Sequence, residues 1–317
     1  DLARLMIVDR QTGTIQHGVF RDIVDYLHRD DVMVVNNTRV NEASFVCRKD
    51  TTGAIISVLL LARRSTTCFL ALLRPLKRLR AGDTCTVTAD VGLRLISRTS
   101  DGDAEIEFSC DPYTSEAFRS IARVQIPPYI KQFPKNAGDY QTVYAIEPGS
   151  VAAPTAGLHF TQALLDGVIA AGVHVEHVTL DVGLGTFQPV RTSTVEEHHM
   201  HTERFALPTE TAVAINVARA RGAQVLAIGT TVARTLESCI GPDGSVQPGS
   251  GETGIFIYPP HVFHGFDHLV TNFHLPKSTL LMLVGAYMGM DLMRTAYREA
   301  IAQRYRFFSF GDAMLIL

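Results

Sequence analysis

Between Thr51 and Pro148 the texture of the chain changes, and that change limits the folds open to it. IISVLLLA, CFLALLRPL, TCTVTAD, GLRLIS and AEIEFS are short β-prone runs parted by Gly, Asp and Ser turns, the spacing of a small antiparallel barrel. A helical piece, Ser115 to Arg123, and a stiff turn, Pro127-Pro128-Tyr129, interrupt them. The flanks mix strands with helical periodicity. Leu5 to Val8 reads as a strand before a helix carrying Phe20, Ile23, Val24 and Leu27. After the block, Thr161 can cap a helix with Leu164, Leu165, Val168 and Ile169, ended by Gly172, and a strand runs from Val173 to Val182. A β block inside α/β texture is one domain inserted into another. The expected fold class is therefore α/β: a barrel-like or open, mostly parallel α/β main domain over residues 1–50 and 149–317, with an inserted small antiparallel β-barrel domain over 51–148.

Composition permits this and excludes several alternatives. The 317 residues are 46% hydrophobic, ample for a core. No apolar run approaches the roughly 20 residues of a membrane span, and DLARLMIVDR lacks the layout of a signal peptide. The chain starts at Asp1 without an initiator Met, so a preceding N-terminal segment is expected. Five widely spaced cysteines with no CxxC pair suggest neither a disulfide framework nor a thiolate zinc site, which fits a reducing cytoplasm. A net charge of −3 argues against a protein that coats nucleic acid non-specifically. It leaves room for a local patch: Arg63, Arg64, Arg74, Lys77, Arg78 and Arg80 carry the densest positive charge. RPLKRLR can track a phosphate backbone or be a solvated turn.

Polar loops follow several of the expected strands. Val32 to Val35 runs into Asn36-Asn37-Thr38-Arg39, where Arg39 could grip a carboxylate or phosphate, or tie the loop to a helix end. The stretch Ser150 to Pro189 holds two small-residue loops, with Gly183 and Gly185 in the second and His159, Thr155, Asp181 and Thr186 as polar equipment. It reads as a pocket wall or as a tight connection without a ligand. The strand Gln224 to Ile228 ends in Gly229-Thr230-Thr231 and enters a helix with Val232, Leu236 and Ile240, an anion cradle without a Walker ending. Strands are also expected at Gly254 to Tyr258 and at His268 to Thr271, the latter followed by Asn272-Phe273-His274. Ser278 can cap a buried helix, Thr279 to Met288; an amphipathic helix, Leu292 to Tyr305, and a closing strand, Ala313 to Leu317, complete the chain. Glu196 to Glu203 places three histidines and three carboxylates in eight residues, without an HExxH register. No metal is expected there, since a neutral His beside a Glu can equally serve as a base. Loops converging at the C-terminal ends of strands are how α/β enzymes build sites.

VAAPTAGLHFT, VGLGTFQPV, MHTE, GTT with Arg234 and LES, TNFHLPKSTLLMLV and YRFFSFGDAM resemble the signature segments of the S-adenosylmethionine:tRNA ribosyltransferase-isomerases of bacterial queuosine biosynthesis. MIVDR-x-TG, VVNNTRV and IPPYI extend the resemblance over nearly the whole chain. It implies a cytoplasmic enzyme, expected to be monomeric and to contact no membrane. Such an enzyme moves the ribosyl part of S-adenosylmethionine onto 7-aminomethyl-7-deazaguanine in tRNA, giving epoxyqueuosine and releasing adenine and methionine. S-adenosylmethionine is then a co-substrate, and neither cofactor nor metal is required. The chemistry needs a base, a group to cradle adenine, an anchor for the methionine carboxylate and a slot for an everted base. Candidates for the proton transfers are His159, His201 and Glu203, with Asp312 in reserve. Thr230, Thr231 and Arg39 are candidates for anchoring a carboxylate or phosphate, and Thr155 and Arg234 for substrate binding. Asn272 and His274 would read a base edge or sugar hydroxyl, Arg306 and Phe307 would hold a base, and Arg74, Lys77, Arg78 and Arg80 would meet tRNA. The chain departs from the family pattern where Asp181 of TLDVG stands in place of a histidine, and where Asn41-Glu42-Ala43-Ser44 stands in place of Ile-Pro-Ala-Arg. A methyltransferase is disfavoured because no GxGxxG follows the first strand; a non-catalytic tRNA-binding protein would use the basic insert alone.

Overall fold

The computed structural model describes residues 2–99, 102–126, 137–183, 190, 192, 194–198 and 200–317. Pro127-Pro128-Tyr129, Gly185, Thr186 and His199 lie outside the described residues. In chain order the first strands are β1 (Arg4–Val8), β2 (Ile15–Val19), β3 (Val32–Asn36), β4 (Thr38–Val40), β5 (Glu42–Lys49), β6 (Ile55–Arg63) and β7 (Cys68–Arg74). Next come β8 (Thr84–Thr86), β9 (Gly92–Arg98), β10 (Ala104–Phe108), helix α1 (Glu116–Ile121), β11 (Arg123–Val124) and β12 (Glu147–Ser150). The remainder alternates: α2 (Gln162–Ala170), β13 (His174–Leu180), β14 (Glu203–Leu207), α3 (Thr209–Ala220), β15 (Val225–Ile228) and α4 (Thr230–Ser238). β16 (Gly249–Thr253), β17 (His268–Asn272), α5 (Thr279–Met288), α6 (Met290–Ala302) and β18 (Ala313–Ile316) finish it.

Two compact units result. One holds Asp1–Arg39, Gln141–Glu147 and Ala153–Leu317; the other holds Val40–Tyr140 with Pro148–Ala152. The insert begins at Val40 rather than at residue 51 because β5 is one of its strands. In this smaller unit β5, β6, β7, β10, β9 and β8 pair antiparallel in turn, and β8 returns to β5 through Lys49 opposite Cys85. A six-stranded barrel is thereby closed, with β11 added along β5. Inward positions alternate with outward ones, as in Phe69, Ala71 and Leu73 of β7, which are the buried residues of that strand. Phe45, Phe69, Phe108 and Phe118 meet edge to face or tilted inside it.

The larger unit is built on a nine-stranded sheet in the order β16-β14-β13-β3-β15-β17-β18-β1-β2. Its centre, β13-β3-β15-β17, is parallel, while the antiparallel neighbours at both ends make half of the eight pairings antiparallel. The sheet is thus more mixed than a mostly parallel one. β1, β3, β15, β17 and β18 are buried on both faces, which is why they read as nearly continuous apolar runs. Leu5, Ile7, Met33, Val35, Leu226 and Ile228 point to one face, covered by α2 and short 3-10 turns at Phe20–Tyr26 and Thr155–His159. Met6, Val8, Val32, Val34, Val225 and Ala227 point to the other, under residues of α3, α4, α5 and α6.

Local signals act as expected at several boundaries. Thr161 Oγ1 accepts the Leu164 N–H at 3.2 Å, and Ser278 Oγ accepts that of Leu281 at 3.2 Å, each capping its helix. Gly172 leaves α2 at φ +89°. The helix expected around Phe20 is only a 3-10 turn, and the strand expected at Gly254 to Tyr258 lies just before it, as β16. Among the described residues no helix is long and apolar enough to cross a membrane.

Candidate functional site

The C-terminal ends of the parallel strands β3, β15 and β17 carry a group of buried polar side chains: Asn36, Asn37, Thr38, Thr230, Thr231, Thr271 and Asn272. Asn36, the last residue of β3, is fully internal: its amide donates to the Leu180 carbonyl at 3.0 Å and its oxygen accepts the Leu180 and Thr38 N–H groups. This brace fixes the end of β13 against β3. Thr38 Oγ1 then donates to Asp181 at 3.2 Å, and the Arg204 guanidinium donates to the same carboxylate through Nε at 2.8 Å. Burial pushes the Asp181 carboxyl above the usual carboxylate range, Arg204 and Thr38 oppose the shift, and the negative charge of Glu203 adds to it.

A second network forms where the Thr155–His159 turn meets β17. The Asn272 amide donates to His159 Nε2 at 3.1 Å and to the Phe308 carbonyl at 3.2 Å, while its oxygen accepts from Thr155 Oγ1 at 3.3 Å. His159 is 6% exposed and stacks on Phe20, ring centroids 4.8 Å apart. Burial lowers its pKa to about 4. The ring is therefore neutral, carries its proton on Nδ1, and presents that N–H rather than a basic lone pair.

Gly229 links this turn to α4. Its φ of +92° is open to glycine, and a Cβ there would stand 3.3 Å from that of Ala156. Thr230 and Thr231 follow at the buried start of the helix. One turn on, Arg234 donates through Nη1 to Glu203, whose other oxygen accepts the Gly183 N–H at 2.8 Å; both side chains are 3% exposed. Arg234 Nε and Nη2 and Thr231 Oγ1 are buried without a hydrogen-bond partner among the described residues.

His159, Thr155 and Asn272 are thus brought together, as are Glu203, Arg234 and Thr231. Others are not. Asp312 is completely buried and accepts six N–H groups, three from Arg4 and three from Arg306. Those donors hold its pKa below the usual value although burial alone would raise it, so it is a fixed anion and no reserve acid. Arg306 is committed to that clamp, and Phe307 packs into an aromatic cluster with Phe273 and Tyr297 rather than offering a face to a base. His274 Nε2 lies 2.7 Å from Thr271 Oγ1, and burial lowers its pKa to about 4. His201 and Arg39 are exposed.

In the barrel unit the side chains of Arg74, Lys77, Arg78 and Arg80 are all exposed, and none forms an ion pair among the described residues. The turn beneath them is held by its carbonyls: Lys49 donates to that of Arg78, and Arg98 to those of Leu76 and Leu79.

Sequence reasoning placed Thr38 in a polar loop and Phe20 on a helix without a site role, and it missed Arg204 and Arg4. Arg204 meets Asp181 only because β14 pairs with β13.

Comparison with known proteins places this geometry. The family model described as queuosine biosynthesis protein matches residues 1–316. Proteins named S-adenosylmethionine:tRNA ribosyltransferase-isomerase from Symbiobacterium thermophilum and Pelotomaculum thermopropionicum are each 47% identical, over the whole of this chain and 93% of their own lengths. The crystal structure of S-adenosylmethionine tRNA ribosyltransferase from Thermotoga maritima superposes with a TM-score of 0.56 at 35% identity, covering all of this chain and 93% of that one. The chain belongs to the queuosine biosynthesis family of S-adenosylmethionine:tRNA ribosyltransferase-isomerases.

Proposed function

We propose that the chain transfers and isomerises the ribosyl moiety of S-adenosylmethionine onto 7-aminomethyl-7-deazaguanine in tRNA, giving epoxyqueuosine with release of adenine and methionine. The full-length match to enzymes of that name carries the reading. The buried polar groups at the ends of β3, β15 and β17 support it as the place of reaction.

The sulfonium acidifies the adjacent carbon; a base takes that proton, adenine leaves, the aminomethyl nitrogen attacks the sugar, and ring closure to the epoxide expels methionine. Asp181 suits the proton transfer better than His159, since burial raises its affinity for a proton while lowering that of His159. The Nδ1–H of His159, held by Asn272, is suited to donating to an adenine nitrogen or a sugar oxygen. Glu203 is occupied by Arg234 and the Gly183 N–H and orients rather than transfers. The exposed cations Arg74, Lys77, Arg78 and Arg80 suit a tRNA backbone.

Incubation of the protein with S-adenosylmethionine and tRNA bearing the precursor base should release adenine and methionine in equal amounts. S-adenosylhomocysteine in their place would indicate a methyltransferase, and absence of any product a binding protein.

A further inference from the structure

Arg234 holds a charge that its own surroundings satisfy only in part. A guanidinium has five N–H donors, and a buried one needs them paired. Nη1 is paired with Glu203, yet Nε and Nη2 are buried with no partner among the described residues. Those two nitrogens share one edge, whose parallel N–H vectors match the two oxygens of a carboxylate. Elsewhere in the protein the same edge grips a carboxylate twice, each time closing on a single oxygen of Asp312: Oδ2 for Arg4 and Oδ1 for Arg306. Arg4 reaches Asp312 through Nε at 3.2 Å and Nη2 at 3.1 Å, and Arg306 does so at 3.1 and 2.6 Å.

Thr231 adds an independent observation. It lies three residues before Arg234 on α4, hence on the same face, and its buried Oγ1 also lacks a partner among the described residues. The helix starts at Gly229 with no side-chain cap, so its first-turn N–H groups add positive potential at this point. Each nearby carboxylate is paired with an arginine, Asp181 with Arg204 and Glu203 with Arg234.

We infer that the Nε/Nη2 edge of Arg234, with the Thr231 hydroxyl, seats the amino-acid carboxylate of the sulfonium substrate, and that Glu203 positions the guanidinium by holding Nη1. This rests on S-adenosylmethionine being the substrate. The seat anchors the methionine end while the reacting carbon stays available to the groups around Asp181.

Equilibrium binding of S-adenosylmethionine and of its decarboxylated analogue to the full chain, without tRNA, tests the assignment. The protein should prefer the carboxylate form by about 10- to 100-fold. Arg234→Lys keeps a cation against Glu203 but removes the fork, and should bring the preference close to one while barely changing affinity for the analogue. Thr231→Val leaves the ion pair intact and should lower the preference about fivefold. Glu203→Gln should raise KM for S-adenosylmethionine with kcat largely retained, and Glu203→Asp should recover part of the loss; a fall in kcat alone would remove Glu203 from this role. If adenine is released and the preference survives in the Arg234 and Thr231 variants, the carboxylate sits elsewhere and the enzymatic function stands. Failure of the unaltered protein to bind S-adenosylmethionine or release adenine would overturn both.

Discussion

Asp312 and Asp181 are carboxylates held by arginine in the same unit, yet they end in opposite protonation regimes. Asp312 is wholly buried but surrounded by six N–H donors, and its pKa falls. Asp181 retains slight exposure but has one arginine, one threonine and a like charge nearby, and its pKa rises. Burial alone does not decide the state of an acid; the number of donors aimed at it does. Asp312 is accordingly a structural anion joining the two ends of the chain, and Asp181 an acid able to exchange its proton.

Asp312→Ala should break this contrast most severely. It leaves the backbone N–H groups of Arg4 and Arg306 and both guanidinium edges without their acceptor, and a loss of about 3 kcal/mol in urea denaturation is expected. A loss below about 1 kcal/mol would mean that water replaces the carboxylate at little cost. Asp181→Asn should do the reverse, keeping stability within about 1 kcal/mol but slowing adenine release about 100-fold. In the unaltered enzyme kcat/KM should rise with pH through the elevated pKa of Asp181, because only the ionised form accepts a proton. Retention of that limb in the asparagine variant would assign it to another group.

The histidines extend the contrast to bases. His159 and His274 are buried with no carboxylate among the described residues hydrogen-bonded to either ring, and both pKa values fall to about 4. An unfolded histidine takes its proton near pH 6.5, so between there and 4 the unfolded chain binds more protons. Stability is complete above pH 6.5 and declines below it, by about 2 kcal/mol per histidine at pH 5. His159→Gln should remove roughly half of that slope in denaturation curves at pH 7 and 5; an unchanged slope would place the titration on other groups.

Sequence legibility follows the range of the interactions. Val32 to Val35, Gln224 to Ile228 and His268 to Thr271 were readable as strands because burial on both faces makes them continuous apolar runs. The caps at Thr161 and Ser278 were readable because the cap and its N–H lie three residues apart. β14 was hidden: Glu203 and Arg204 open it amid a polar tract, and only pairing with β13 and β16 makes a strand of it. The Arg4 clamp on Asp312 spans 308 positions, and no local pattern announces it. His159 and Asn272 stood out by their loops, but their mutual hydrogen bond depends on the order of strands in the sheet.

The smallest expected effect lies in the barrel unit, where paired and unpaired cations again stand side by side. Lys49 is spent within the fold, bound to Asp83 at 2.5 Å and to the Arg78 carbonyl at 3.2 Å. Lys77 and Arg78 are exposed on the turn that Lys49 supports. Replacing both by Gln should leave melting unchanged, since no ion pair is lost. If these two cations contact phosphates, each displaces counterions, and the slope of log affinity for tRNA against log salt should shrink by about 1.5 to 2 in magnitude. Lys49→Gln should instead lower stability and alter the slope only through distortion of the turn. Equal slopes for the double variant and the unaltered protein would make the basic turn a solvated surface and move the tRNA contact to another face.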